Sequence, residues 1–364
     1  MQDLLLFSKD TLLAKLIDGR LEPLLPDRLP LFLQRTGNME AWLASRAIDR
    51  HRTNSRLLKK ALRLKDTNDV PTVLSVNAAT ITDNFWVKPV DYEQTAYADV
   101  RFTFNHFDKL ALMRDGDSFD RPPSRTPELT NIGSFEKCWR LEDGFWWMIK
   151  DGKPAEQFAE LFAFNLGKHL GFPMVPYFPD GEYIRSRDFT SGASVDFEPA
   201  ASVISNVSDY IPTYDALKTY GKAVSGEYVN MCYFDALVRN VDRHEYNFGL
   251  LRDSDTGEVL GFAPFFDHNL SLFATGYPKN IEAKNDRFIM DFVELLRYTG
   301  KHFSVPKLSL SCVAECARGI PWALPKTDEV PDPESFVVDY VQNRQRELET
   351  ECQGLIALTD CNCS

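Results

Sequence analysis

From residue 145 onward the apolar and polar positions switch between two periods. Phe145 to Lys150, FWWMIK, is a continuous apolar run closed by a single lysine, the pattern of a buried strand, and a DGKP turn follows it. From Glu156 the apolar residues Phe158, Leu161, Phe162 and Leu166 recur every three or four positions, predicting a helix that Gly171 and Pro173 stop. Met174 to Phe178 and Glu182 to Ser186 predict two more strands, and the strand-rich character ends near residue 200. In Glu227 to Asn240 the residues Val229, Cys232, Tyr233, Ala236 and Leu237 form one inward stripe of a helix. Beyond it FGLLRD and VLGFAPFF flank the turn SDTGE and predict a β-hairpin whose second arm ends at Asp267. Helical spacing then returns over 288–298, 308–318 and 336–348.

Upstream the pattern is less regular. Residues 1 to about 115 mix short apolar runs with the basic stretch Arg50 to Lys65, where Leu57, Leu58, Ala61 and Leu62 keep helical spacing. That predicts an amphipathic helix with a basic face, solvated or in contact with a partner or nucleic acid. The stretch 115–134, DGDSFDRPPSRTPELTNIGS, reads as a boundary loop. The pattern divides the chain into an N-terminal accessory region (1–115), a strand-rich part (116–200) and a helical part (201–364).

Composition narrows the classes. A chain of 364 residues is too long for one ordinary core, so two or three packed units are expected, with a ligand in the cleft between them. With 44% hydrophobic and 26% charged residues, wholesale disorder is excluded. A net charge of −12 argues against broad coating of nucleic acid. Asp3, Lys9, Asp10 and Lys15 interrupt the first segment, so it reads neither as a signal peptide nor as a membrane span, and a cytoplasmic location is expected. The seven cysteines are odd in number and scattered, as reduced thiols are; neither Cys312 with Cys316 nor Cys361 with Cys363 finds the further ligands that a zinc site needs.

The chemistry concentrates after the helix, in NVDRHEYNFG (240–249). Asp242, His244 and Asn247 could simply cap the helix and make a turn. With Asp267 brought back by the hairpin, they instead match phosphoryl transfer: a carboxylate to accept a hydroxyl proton, an Asn five residues later as metal ligand, and an Asp on a following strand end as the second ligand. That chemistry also wants a lysine on an earlier strand with an acid on the next helix, and Lys150 with Glu156 or Glu160 stands in that order. TNIGSFEK (130–137) offers one glycine, hydroxyls and backbone N–H groups ahead of the lysine strand. Each element has an ordinary turn or surface explanation, and their shared order over 130–267 favours the site.

In these residues the chain resembles the HipA-type serine/threonine kinases, the bacterial toxin-kinase group, over about 125–350; DRHEYN is also similar to the D-R-H-x-x-N loop of phosphatidylinositol 3- and 4-kinases. The resemblance implies an α+β, two-lobed protein-kinase-like fold with a β-rich N-lobe (116–200), a mainly helical C-lobe (201–364) and an N-terminal accessory region. It implies ATP and Mg2+ as cofactors, Asp242 as catalytic base, His244 as a loop histidine of mainly structural use, and Asn247 and Asp267 as magnesium ligands. Lys150 would meet the nucleotide phosphates, Glu156 would hold it, Gly133, Ser134 and Lys137 would form the phosphate loop, and Arg185 falls in the hinge segment YIRSRDF. The expected acceptor is a Ser/Thr hydroxyl of a protein, the expected partner an antitoxin or regulator. Two departures stand out: the loop has a single glycine, and residues 1–115 do not read as the usual HipA N-terminal domain. The alternatives are a lipid or small-molecule kinase, a degenerate kinase fold serving as a nucleotide-binding interaction module, and a metallohydrolase built on Asp242, His244, Asp267 and His268, which leaves Lys150 without a role. Ser118, Ser124, Thr126, Thr130 and Ser134 are candidates for self-phosphorylation or for turn caps.

Overall fold

The computed structural model describes residues 2–52, 54–92, 95–113, 119–204, 209–277, 286–321, 324–352 and 354–359; Ser118, Cys361 and Cys363 lie outside them. The chain is α+β and forms two compact units. Unit 1 comprises Met1–Asp151, Pro179–Val203 and Gly249–Gly261; unit 2 comprises Gly152–Phe178, Ile204–Phe248 and Phe262–Ser364. No described helix is long and apolar enough to cross a membrane.

Unit 1 is organised by three sheets. Strands β1 (Leu4–Ser8), β2 (Thr11–Ile17), β3 (Arg20–Pro23) and β4 (Phe85–Pro89) pair in the order β3-β2-β1-β4. Leu4, Leu6, Leu13 and Val87 pack from this sheet onto Trp42 and Leu43, giving the accessory region a core of its own. The alternation in LLLFS and TLLAKLI was too short to separate these strands from other apolar runs. Strands β5 (Lys137–Glu142), β6 (Phe145–Lys150), β7 (Tyr177–Asp180) and β8 (Tyr183–Arg187) form the second sheet, β5-β6-β8-β7. Asp143 and Gly144, both at positive φ (51° and 79°), make the two-residue turn between β5 and β6, and that turn fixes Lys137 opposite Lys150. Of the predicted strand from Met174, only an isolated bridge from Met174 to Phe265 forms before β7.

Strands β9 (Val195–Pro199), β10 (Gly249–Asp253) and β11 (Val259–Phe262) make the third sheet, β11-β10-β9, so the predicted hairpin gains a third strand. Its anchor is buried Arg252, which ion-pairs with Glu198 and donates to the carbonyls of Leu29 (2.9 Å), Asp27 (3.0 Å) and Gly257 (2.8 Å). A Cβ at Gly257 (φ +79°) would lie 2.7 Å from the Asp27 carbonyl oxygen, so only glycine fits this turn.

The basic stretch 50–65 is not the helix that its spacing predicts. Only Ser55–Ala61 is helical, and the Arg52 side chain is fully buried instead of solvated or offered to nucleic acid. Its guanidinium lies 3.6 Å from the buried Glu128 carboxylate and donates to the carbonyls of Asn131 and Lys137. Lys59 is buried as well and donates to the Thr67 carbonyl at 2.8 Å. Local spacing reports a helix face but not a cation recruited by a distant acid.

Unit 2 is mainly helical. The helix Lys222–Val238 runs through its centre, with Tyr233 against Phe292 and Phe303 (ring centroids 5.6 and 4.8 Å apart) and Phe234 against Phe172. Around it stand helices Pro154–His169, Arg287–Thr299, Leu310–Ala317 and Pro333–Glu351, each overlapping its predicted segment. A short parallel pair, β12 (Phe303–Pro306) and β13 (Ile356–Thr359), completes the unit. Cys312 and Cys316 are buried free thiols, and no group of three metal-ligating side chains occurs among the described residues.

One buried acid in unit 1 sets a pH dependence. The Asp196 carboxylate accepts the backbone N–H (2.9 Å) and side-chain N–H (2.6 Å) of Asn84; burial, reinforced by Asp83, pushes its pKa up to about 7 from an ordinary 3.8. Between those values the folded chain keeps a proton that the unfolded chain has shed. This contribution to stability is therefore full below the unfolded pKa and is lost as pH rises toward the folded one, with a slope of at most about 1.4 kcal/mol per pH unit. Urea unfolding at about pH 5 and about pH 7.5 should show that loss, and Asp196→Asn should flatten it. An identical slope in the variant would mean that Asp196 is ionised throughout.

Candidate active site

The central helix of unit 2 carries one carboxylate, Asp235, on its buried face; only 1% of that side chain is exposed. The helix ends at Arg239 in the left-handed region (φ +53°), and the backbone turns so that the Asn240 N–H returns to the Asp235 carbonyl and its side-chain amide to the Asp235 carboxylate, both at 3.0 Å. Four residues on, Arg243 closes on the same carboxylate with two N–H groups, Nε at 2.8 Å and Nη2 at 2.9 Å. Its remaining N–H groups reach the carbonyls of Asn247 (2.6 Å) and Phe266 (2.8 Å) and the His268 ring (2.9 Å). One guanidinium thus joins the helix and the loop 242–247 that follows it to the segment 265–268 beyond the hairpin. Bonds from Val241 N–H to the Leu270 carbonyl (3.3 Å) and from Leu272 N–H to the Val238 carbonyl (2.8 Å) run alongside it.

This scaffold brings Asp242, Asn247 and Asp267 into one locality. The Asn247 side-chain N–H donates to the Asp242 carbonyl at 3.1 Å, which leaves the amide oxygen as the atom presented by Asn247. Asn240 donates to the Asp267 carbonyl at 3.5 Å, and Asp267 itself stands at φ +63°. Burial lifts the Asp242 carboxyl above its ordinary range; His244 draws it back, Asp267 lifts it further and Arg243 opposes. His244 holds the turn: its Nδ1 accepts the Tyr246 N–H (3.2 Å) and its carbonyl accepts the Asn247 N–H (2.9 Å).

The donor chemistry suits a hard cation. Arginine can only donate, so the His268 Nε2 facing Arg243 is the acceptor of that contact, while the Nδ1 of His244 accepts from the backbone. What the locality offers a metal is oxygen, the Asp267 carboxylate and the Asn247 amide, a set that fits Mg2+ better than a transition metal.

The helix Pro154–His169 supplies the acids. Glu160 accepts the His268 N–H at 2.9 Å and so belongs to the same scaffold. Glu156 caps its own helix, accepting the Lys153 N–H at 2.8 Å, with the Lys153 ammonium 3.7 Å away. In unit 1, Lys150 ends β6 in a buried position between Lys137 on β5 and Ile184 on β8. Gly133 stands at φ +118°, a backbone conformation that L side chains rarely adopt, which favours the single glycine of TNIGSFEK at this point. Both ends of this loop, Asn131 and Lys137, are held by Arg52, and Glu128 takes N–H groups from Asn131 (2.9 Å) and Trp139 (2.6 Å). Thr126 and Thr130 are buried, Thr126 as a turn cap and Thr130 bonded to the Ala79 carbonyl, whereas Ser134 is exposed. The Arg185 guanidinium bonds Glu142 at 3.0 Å and lies over the Trp147 ring.

Arg243, Asp235 and Asn240 were not singled out in the sequence. A signal existed: Asp235 interrupts the buried stripe CYFDALV, and a carboxylate inside a core needs a cation. Removing that cation leaves Asp235 buried and unpaired, so Arg243→Ala should lower unfolding stability by about 3–5 kcal/mol, and Arg243→Lys, lacking the planar fork, should recover only part of it. Urea titration followed by circular dichroism measures this; a loss below about 1 kcal/mol in Arg243→Ala would show that the guanidinium does not organise the site.

No family model and no curated protein matches the sequence. Among solved structures, the Helicobacter pylori proinflammatory kinase CtkA aligns with a TM-score of 0.44 at 14% identity, covering 60% of this chain and 94% of that one. HipA of Shewanella oneidensis MR-1, from the complex of that toxin–antitoxin system's HipA and HipB with operator DNA, aligns with a TM-score of 0.58 at 11% identity, covering 96% of this chain and 99% of that one. At that coverage the likeness extends into the accessory region that the sequence left unmatched, and it gives this chain the kinase-like fold of HipA.

Proposed function

We propose that the protein is an ATP- and Mg2+-dependent kinase that transfers a phosphoryl group to a hydroxyl, in the manner of HipA-type serine/threonine kinases. The observation that carries this reading is the convergence of Asp242, Asn247 and Asp267 on the Arg243 scaffold, where the Asn247 amide oxygen and the Asp267 carboxylate are oxygen donors of the kind Mg2+ takes. Phosphoryl transfer asks a protein chiefly for positioning and charge neutralisation, and a loop held at both ends by one buried guanidinium is suited to that. In this reading Asp242 orients the acceptor hydroxyl and takes its proton, and its raised affinity for protons suits a base. Asn247 and Asp267 hold magnesium, which when bound neutralises charge on the transferring phosphate. Lys150 and the loop 130–137, with Gly133, Ser134 and Lys137, supply positive charge and N–H groups for the nucleotide phosphates. A protein Ser or Thr is the favoured acceptor. The HipA neighbour was solved with HipB and operator DNA, which supports an antitoxin-like regulator as the partner to seek.

The roles separate by substitution. Asp242→Asn should cut phosphoryl transfer by about 10²- to 10⁴-fold and leave ATP binding nearly intact, since a general base contributes to the chemical step. Asp267→Ala should abolish the rise in melting temperature that ATP gives with Mg2+, and Lys150→Ala should weaken ATP binding itself. Calorimetric titration of ATP with Mg2+, paired with mass spectrometry of phosphorylated lysate proteins, reads both effects. Equal loss of ATP binding in Asp242→Asn and Asp267→Ala would contradict the assignment, and unchanged activity in Asp242→Asn would remove the kinase reading.

A further inference from the structure

Unit 1 contains a cleft of about 310 Å³ at the start of β6, the end of the strand remote from Lys150 and on the order of 17 Å from it along the strand. Its floor is apolar, formed by the buried Ile81, Phe102, Trp146 and Ala193. Its rim carries two exposed arginines, Arg101 and Arg187. Arg187 lies flat over the Phe145 ring, 3.4 Å from its centroid, which orients the guanidinium without neutralising it. The one carboxylate in the lining, Asp188, is spent on its own turn: it accepts the N–H groups of Thr190 (2.9 Å) and Gly192 (2.7 Å). Neither rim arginine forms an ion pair with a carboxylate among the described residues. The cleft therefore presents two cations above an aromatic floor.

We propose that this cleft binds a small planar molecule carrying a phosphate, of about the size of a nucleoside monophosphate, separately from the nucleotide site around Lys150. The volume sits at the lower end of the range for small-molecule sites, which suits one ring and its phosphate and not a folded partner. Flat rings stack on aromatic side chains, and guanidinium groups bind phosphate through parallel N–H donors. The ring lies on Phe102 and Trp146, and the phosphate sits at the rim carried by Arg101 and Arg187, neither of which is in an ion pair among the described residues.

The test uses the full chain with phenyl phosphate, AMP and inorganic phosphate as probes, followed by calorimetry and by tryptophan fluorescence. To keep the proposed kinase site out of the measurement, the titrations are repeated in Lys150→Ala. Phenyl phosphate and AMP should bind saturably in both backgrounds, at least tenfold more tightly than inorganic phosphate, and each should weaken at least tenfold in Arg101→Ala and in Arg187→Ala. Because both arginines are exposed, these variants should fold, and an unchanged melting temperature checks it. Binding that disappears in Lys150→Ala but persists in the two arginine variants would overturn the proposal. So would equal affinity for inorganic phosphate and phenyl phosphate, which removes the aromatic floor, or no saturable binding of any probe.

Discussion

Everything assembled around the candidate site depends on one buried ion pair. Asp235 lies on the inward face of a helix whose neighbours are Cys232, Tyr233, Phe234, Ala236 and Leu237, and a lone carboxylate there would cost several kcal/mol. Arg243 removes that cost only by folding the chain back across the helix end, and in doing so it spends its other donors on Asn247, Phe266 and His268. A lysine could match the charge but not five directions at once. The electrostatic demand of the core and the geometric demand of the site are met by the same side chain, so neither can be relaxed without the other.

Unit 1 solves a similar problem in the same way. Glu128 is fully buried, and Arg52, Asn105, Asn131 and the Trp139 N–H converge on it. Here too the guanidinium goes beyond its carboxylate to backbone carbonyls, those of Asn131 and Lys137, which bracket the loop ahead of the lysine strand. Ser134 at the tip of that loop is exposed, while Asn131 and Lys137 at its two ends are tied to Arg52.

What could be read in advance was whatever the chain encodes locally. FWWMIK announced β6, the spacing after Glu156 announced its helix, and SDTGE announced the β10–β11 hairpin, because period and turn chemistry act over a few residues. The grouping of Asp242, Asn247 and Asp267 was legible for the same reason, since a short loop and one hairpin separate them. Arg52 and Arg243 were not. Arg52 looked like part of a wet basic face because the acid that claims it, Glu128, lies far along the chain, whereas Arg243 was passed over although its acid, Asp235, stands eight residues before it in the buried stripe. The N-terminal strands were missed because their alternation is brief and their partner β4 lies some eighty residues further on.

The backbone at the edges of the site carries a cost that this pair offsets. Arg239, Asp267 and Leu272 all stand at φ between +53° and +63°, a region that side chains other than glycine enter at about 1 kcal/mol or more each. Aspartate tolerates it, but arginine and leucine have no local hydrogen bond to gain. Each strained residue lies where a segment changes direction: at the helix end, after the strand that delivers Asp267, and where residues 268–272 rejoin the helix. Glycine would relieve the strain but would free the chain to leave these angles. Side chains there, held by the Asp235–Arg243 pair and by the Leu272 to Val238 bond, favour a locality that is already arranged before any ligand arrives, which is the condition under which fixed charges act best on a phosphoryl group.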